Sequence, residues 1–183
     1  GGRLMGVMET ADVMVKGFKS LLIAMIILVS AWSLATITEE LHTAGFLTSL
    51  MVGKVNPYFM PAITFILAAG VSFSTGSSWS TMAILFPILL PTTWTLCIAA
   101  GIEHDQAYAI MFNVIATIMG GSVFGDHCSP ISDTTILSSL STGCDHIDHV
   151  RTQMPYAITV GLVSIICGGL LFSLRLPWYL LYP

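Results

Sequence analysis

The chain reads as an all-α, polytopic membrane protein with hairpin and broken transmembrane helices, and three observations carry that prediction. Of its 183 residues only 9% are charged and 55% are hydrophobic, and the mean hydropathy is +0.85. Soluble domains carry roughly a quarter charged residues. Stretches 20–38, 55–102, 106–125 and 152–174 contain no Asp, Glu, Lys or Arg. One helical pass takes about 20 residues, so the second stretch suits two passes and the others one each. Finally, two polar runs, 74–81 and 125–135, interrupt this apolar sequence. Polar groups at membrane depth are costly unless they line a cavity or bind something.

Residues 1–19 form an amphipathic lead-in, with Met5, Val7, Met8, Val13, Val15 and Phe18 among charges, suited to an interface. Residues 20–183 form the transmembrane unit. Its first span covers about 20–41, and 42–56 reads as a polar connection. Pro57 opens a second helix at a first turn, where its missing N–H is not needed. Spans of about 57–75 and 79–100 meet at the tip Ser74-Thr75-Gly76-Ser77-Ser78, either as a re-entrant hairpin or as two full passes. A helix over 106–141 must break, because Pro130 removes an N–H and clashes with the preceding turn. The non-helical stretch is expected between Gly125 and Ser132, with helix on both sides. Residues 143–149 form a polar loop, and the last span covers about 152–174. Trp178, Tyr179 and Tyr182 then make an interfacial aromatic belt. Counting passes puts Arg3, Lys16, Lys19 and Arg151 on one face, which the positive-inside rule makes cytoplasmic. Gly1-Gly2-Arg3 is no initiator, so the chain reads as part of a longer protein, such as one half of an inverted-repeat transporter.

The run Gly125-Asp126-His127-Cys128-Ser129-Pro130-Ile131-Ser132-Asp133-Thr134-Thr135 sets two carboxylates, a histidine and four hydroxyls at that break. Sodium takes hard oxygen ligands, and an unwound helix frees backbone carbonyls beside them. A carboxylate in low dielectric can hold a proton or a sodium ion, which is the simplest basis for exchange. Asp126 and Asp133 are therefore the expected sodium and proton carriers, with Ser129, Ser132, Thr134 and Thr135 supplying oxygens. Asp133 is the preferred one, lying past the break at the start of a half-helix; capping that helix is its plain structural alternative. Ser74, Thr75, Gly76, Ser77 and Ser78 can contact an ion or substrate, or can satisfy freed backbone groups. Two polar interruptions are cheaper if they meet, so this tip is expected to approach the break inside the membrane.

Other chemistries are poorly served. A net charge of -4, with no basic patch, speaks against nucleic acid as a partner. Cys97, Cys128, Cys144 and Cys167 form no CxxC pair and read as free thiols. His104, Cys144, His146 and His149 lack the second matched pair of a zinc site. No nucleophile elbow or phosphate loop appears, so the chain reads as no enzyme and calls for no cofactor. Glu39 and Glu40 lie about 30 Å along the helix from Lys19, near the far interface, and read as a solvated helix end.

The run from Phe124 to Ser139, the following 144–153 segment Cys-Asp-His-Ile-Asp-His-Val-Arg-Thr-Gln, and the 72–82 run Ser-Phe-Ser-Thr-Gly-Ser-Ser-Trp-Ser-Thr-Met together resemble the NhaC-type sodium/proton antiporter family. Trp32 and Thr43-Ala44-Gly45 fit as well. The likeness covers nearly the whole chain but only the C-terminal half of a family member. It implies a transporter of the ion-transporter superfamily, multi-pass in a bacterial or archaeal inner membrane, with sodium and protons as transported ions. It also implies that Asp126, Ser129, Asp133, Thr134 and the tip Thr75 to Ser78 occupy signature positions. The expected function is sodium/proton antiport in the lipid bilayer, together with an N-terminal half, a second chain or a homo-oligomeric copy. The alternatives are a sodium-coupled exchanger of a small organic acid or amino acid, or a non-transporting half-length membrane subunit.

Overall fold

A computed structural model describes residues 6–170, and every described element is helical. The order is α1 (Val7–Glu40), α2 (Thr43–Met51), a 3-10 turn (Pro57–Phe59), α3 (Met60–Thr75), α4 (Ser78–Ala99), α5 (His104–Cys128), α6 (Asp133–Thr142) and α7 (His146–Ser164). A π-helical turn, Ile165–Leu170, extends α7. Among the described residues, Pro57–Thr75, Ser78–Ala99, His104–Cys128 and His146–Gly168 are each long and apolar enough to cross a membrane. The polytopic, all-α expectation is met.

Local chemistry sets the boundaries. Asn56 accepts a hydrogen bond from Tyr58 N at 3.1 Å, starting the turn in which Pro57 needs no donor. Asp145 accepts from Ile147 N at 2.9 Å and Asp148 N at 3.2 Å, so α7 begins at His146. The loop expected over 143–149 is thus corrected: its second half is the first turn of α7. The connection over 42–56 also needs correcting, since it contains α2. Phe46, Leu47, Leu50 and Met51 have helical spacing there, which Gly45 obscured in the sequence. Helix α1 runs unbroken from the lead-in through the first charge-free stretch. The aromatic belt at Trp178, Tyr179 and Tyr182 lies outside the described residues.

Helix α5 is the axis of the bundle, packed on α3 and α4, with α1 and α2 laid on α4. Its buried stripe, Ala107, Ile110, Val114, Ile118, Gly121 and Gly125, recurs every three or four residues and faces Ala68, Leu85, Leu89 and Leu96. Helices α3 and α5 run in the same direction. Tyr58 donates its hydroxyl to Gln106 at 2.6 Å near one end, Thr64 and Thr117 meet at 2.8 Å midway, and Ser72 donates to Ser122 O at 2.5 Å beyond. That register brings the end of α3 and the end of α5 to the same level. The large apolar side chains left outward, such as Phe18 and Ile26 on α1 or Tyr156 and Val160 on α7, suit a lipid environment.

Candidate functional site

The tip between α3 and α4 is built by its own hydroxyls. Gly76 takes φ 67° and ψ 21° and donates its N–H to Ser72 O at 2.8 Å, closing α3. Ser77, extended, caps α4 by accepting from Ser80 N at 3.3 Å. Ser74 donates to Gly70 O at 2.8 Å, and Thr81 donates to Ser77 O at 2.9 Å. Thr75 shares long contacts of 3.4 Å with Ser72 O, Ser77 O and Thr81 Oγ1. Ser77 therefore satisfies a freed backbone N–H of α4, while Ser74 and Thr75 bond back to carbonyls of α3 and the turn. Of the tip hydroxyls, Ser78 is the one that reaches past α3 and α4, to α5.

Its partner is Asp126. Ser78 Oγ donates to Asp126 Oδ2 at 3.1 Å, and Ser132 Oγ donates to Oδ1 at 2.5 Å. The carboxylate is 7% exposed, and among the described residues no Lys, Arg or His pairs with it. Two hydroxyls leave several of its lone pairs open. Burying a carboxylate away from any cationic partner costs free energy that two hydroxyl donors only partly offset.

The expected break is present. Helix α5 runs through Cys128, residues 129–132 are non-helical, and α6 begins at Asp133. Ser129, extended, donates its N–H to Asp126 O at 3.1 Å, and Ser132 N donates to Ser129 O at 3.3 Å. Ser132 also meets Thr134 Oγ1 at 2.7 Å. Ser129 and Thr135 are buried, with Thr135 donating to His127 O at 3.4 Å. His127 turns Nδ1 to Val123 O at 3.1 Å and not toward Asp126. Asp133 is exposed in the first turn of α6, without a hydrogen-bond partner among the described residues. The break and the tip thus converge on Asp126 through Ser78 and Ser132, with Thr134 one bond further out; the sequence had preferred Asp133.

Tip and break touch directly. A Cβ added at Gly76 would lie 2.9 Å from both Ile131 O and Ile131 Cγ1, so the interruptions approach each other as expected. Gly76→Ala should cost about 2–4 kcal/mol, combining the left-handed φ with overpacking against a backbone carbonyl. Thermal denaturation of the purified protein measures this, and an unchanged midpoint would refute the contact.

Sequence reasoning missed the surface that holds the site. Added Cβ atoms at Gly121 and Gly125 would meet Phe65 O, Ala69 O and Ser72 Cβ, so α3 lies against bare backbone of α5 just before Asp126. The four-residue glycine spacing was the available signal. Ser122, one turn before Asp126, is buried, and among the described residues its hydroxyl has no partner. His146 and Gln153 of α7, which reach carbonyls of the break, were also missed as site residues.

Comparison with known proteins adds a second line of evidence. A family model described as Na+/H+ antiporter family matches residues 1–171. An uncharacterised protein of Haemophilus influenzae is 41% identical over 164 residues, covering 90% of this chain and 30% of that one. The arginine/ornithine antiporter ArcD of Halobacterium salinarum is 35% identical over 112 residues, 59% of this chain and 21% of that one. The Na+/H+ antiporter NhaC of Alkalihalophilus pseudofirmus is 30% identical over 117 residues, 61% of this chain and 23% of that one. The chain therefore spans less than a third of the length of each of these relatives. No solved structure matches it.

Proposed function

The chain belongs to the Na+/H+ antiporter family, and on that premise we propose that it carries the ion site of a secondary transporter exchanging sodium for protons at Asp126. One observation carries the reading: a buried carboxylate, free of any cationic partner among the described residues, held by hydroxyls from two separate elements. In one state Asp126 is protonated and neutral. In the other it loses the proton and takes a dehydrated sodium ion, with Ser78 and Ser132 turning oxygen lone pairs toward the ion. One carboxylate serving both ions makes their occupancy mutually exclusive, which couples their fluxes. Ser122 offers a further buried oxygen on the same face of α5. Asp133, exposed and set past the break, then serves as an entry-side carboxylate that collects cations.

A second reading has a specific support, the likeness to a protein named as an arginine/ornithine antiporter. On this reading the site exchanges a small organic ion, and the exposed Ser74 and Thr75 of the tip touch substrate. Proteoliposomes of the complete transporter separate the two. Sodium/proton antiport predicts that an inward sodium gradient drives proton efflux without any organic solute. Proton or sodium movement that appears only with arginine, ornithine or a carboxylic acid present would replace the first reading with the second.

A further inference from the structure

Helix α7 reaches the break from outside it, with two side chains on one face. Asp145 caps the helix and so fixes His146 as its first residue. His146 Nε2 lies 2.6 Å from Pro130 O; a carbonyl only accepts, so the proton is on Nε2. The other ring nitrogen, Nδ1, lies 3.1 Å from the hydroxyl of Ser139, a buried residue of α6. Two turns along α7 and on the same side, Gln153 Nε2 donates to His127 O at 3.3 Å. His127 O also receives Thr135 Oγ1 at 3.4 Å. The carbonyls at Pro130 and His127 bracket the end of α5, where an interrupted helix leaves acceptors without intrahelical donors. Ordinary helix packing would leave those acceptors to water or to a bound ion. Here α7 occupies both.

We propose that His146 and Gln153 are positioning residues, through which α7 fastens the non-helical segment 129–132 so that Ser132 keeps its hydroxyl on Asp126. Holding Pro130 O fixes the peptide plane between Ser129 and Ser132, and holding His127 O fixes the residue next to the carboxylate. Ser139 sets the imidazole plane, so α6, α7 and the break move as one piece. The functional consequence rests on the reading of Asp126 as the exchanging carboxylate; the fastening rests on the contacts alone.

Cys128, buried at 4% exposure in the last turn of α5, is a built-in reporter of the fastening. The experiment uses the complete transporter in proteoliposomes, as wild type, His146→Ala, His146→Gln and Gln153→Ala. Alkylation of Cys128 by N-ethylmaleimide is followed by mass spectrometry of its peptide, beside sodium-dependent exchange. His146→Ala and Gln153→Ala should speed alkylation about five- to tenfold and raise the apparent KM for sodium by a similar factor, with maximal rate within about twofold, as expected for one lost hydrogen bond. His146→Gln should restore most of both, because its amide N–H can still reach Pro130 O. Equal damage from His146→Gln and His146→Ala, or unchanged alkylation in both alanine variants, overturns the proposal. So does lowered thermal stability with unchanged KM and alkylation, the mark of a merely structural role. Faster alkylation with no sodium exchange even in wild type supports the fastening and refutes the sodium reading instead.

Discussion

Asp126→Asn in the complete transporter should reduce sodium-driven proton flux roughly a hundredfold or more while leaving membrane insertion intact. Asparagine keeps the shape of the side chain but cannot carry the proton or neutralise the ion. It also presents an NH2 where one of the two serine hydroxyls now donates, so either Ser78 or Ser132 must turn round to accept. Losing the charge and one charge-assisted hydrogen bond is worth about 3 kcal/mol, and each 1.36 kcal/mol is tenfold. Asp133→Asn should change the maximal rate by no more than about twofold, because that carboxylate is exposed and has no hydrogen-bond partner among the described residues. Exchange measured by a pH-sensitive dye against a sodium gradient decides the matter. If Asp133→Asn abolishes exchange and Asp126→Asn leaves it, the roles are reversed and the exchanging carboxylate lies at the start of α6.

The preference for Asp133 in the sequence shows where reading residues alone stops. Both acids lie within seven positions of Pro130, and nearness to the break does not say which one is turned inward. That depends on the helical phase of α5, which is set by Gly121 and Gly125 against α3. Asp126 follows Gly125 on that buried side, whereas Asp133 begins a new helix whose phase the break has reset. The break itself was legible, because a proline's missing donor and ring are local facts. So was the meeting of tip and break, because two costly polar interruptions in apolar surroundings have few other ways to be satisfied. The division of labour among the tip hydroxyls was not legible. Ser74, Thr75, Ser77 and Ser78 look interchangeable in sequence, yet only Ser78 reaches α5, since Gly76's positive φ redirects the chain so that Ser77 caps α4. The role of α7 was hidden for a similar reason: His146 gains its partner from a residue sixteen positions away.

That helical phase also makes the second large effect, in which neighbouring glycines of one helix respond with opposite sign. Gly125→Ala adds a Cβ against Ala69 O, Ser72 Cβ and Phe73 N, of which two are backbone atoms that no rotamer change can move. Helices α3 and α5 must then separate, which strains the bond from Ser72 to Ser122 O and the bond from Ser78 to Asp126. Overpacking costs about 1–3 kcal/mol and each lost hydrogen bond about 1 kcal/mol, against a gain of about 1 kcal/mol in helix propensity. A net loss of about 2–4 kcal/mol follows, together with a displaced Asp126 and little exchange. Gly120→Ala meets only Phe65 Cε2, at 3.8 Å, an ordinary van der Waals contact. It should keep activity and gain up to about 1 kcal/mol, the helix-propensity difference between glycine and alanine. Thermal inactivation midpoints of the two variants against wild type test the pair. If Gly125→Ala is as stable and active as wild type, α5 does not rest its bare backbone on α3. If both variants are equally damaged, loss arises from glycine flexibility along the whole helix, and the close approach at Gly125 is not what holds Asp126 in place.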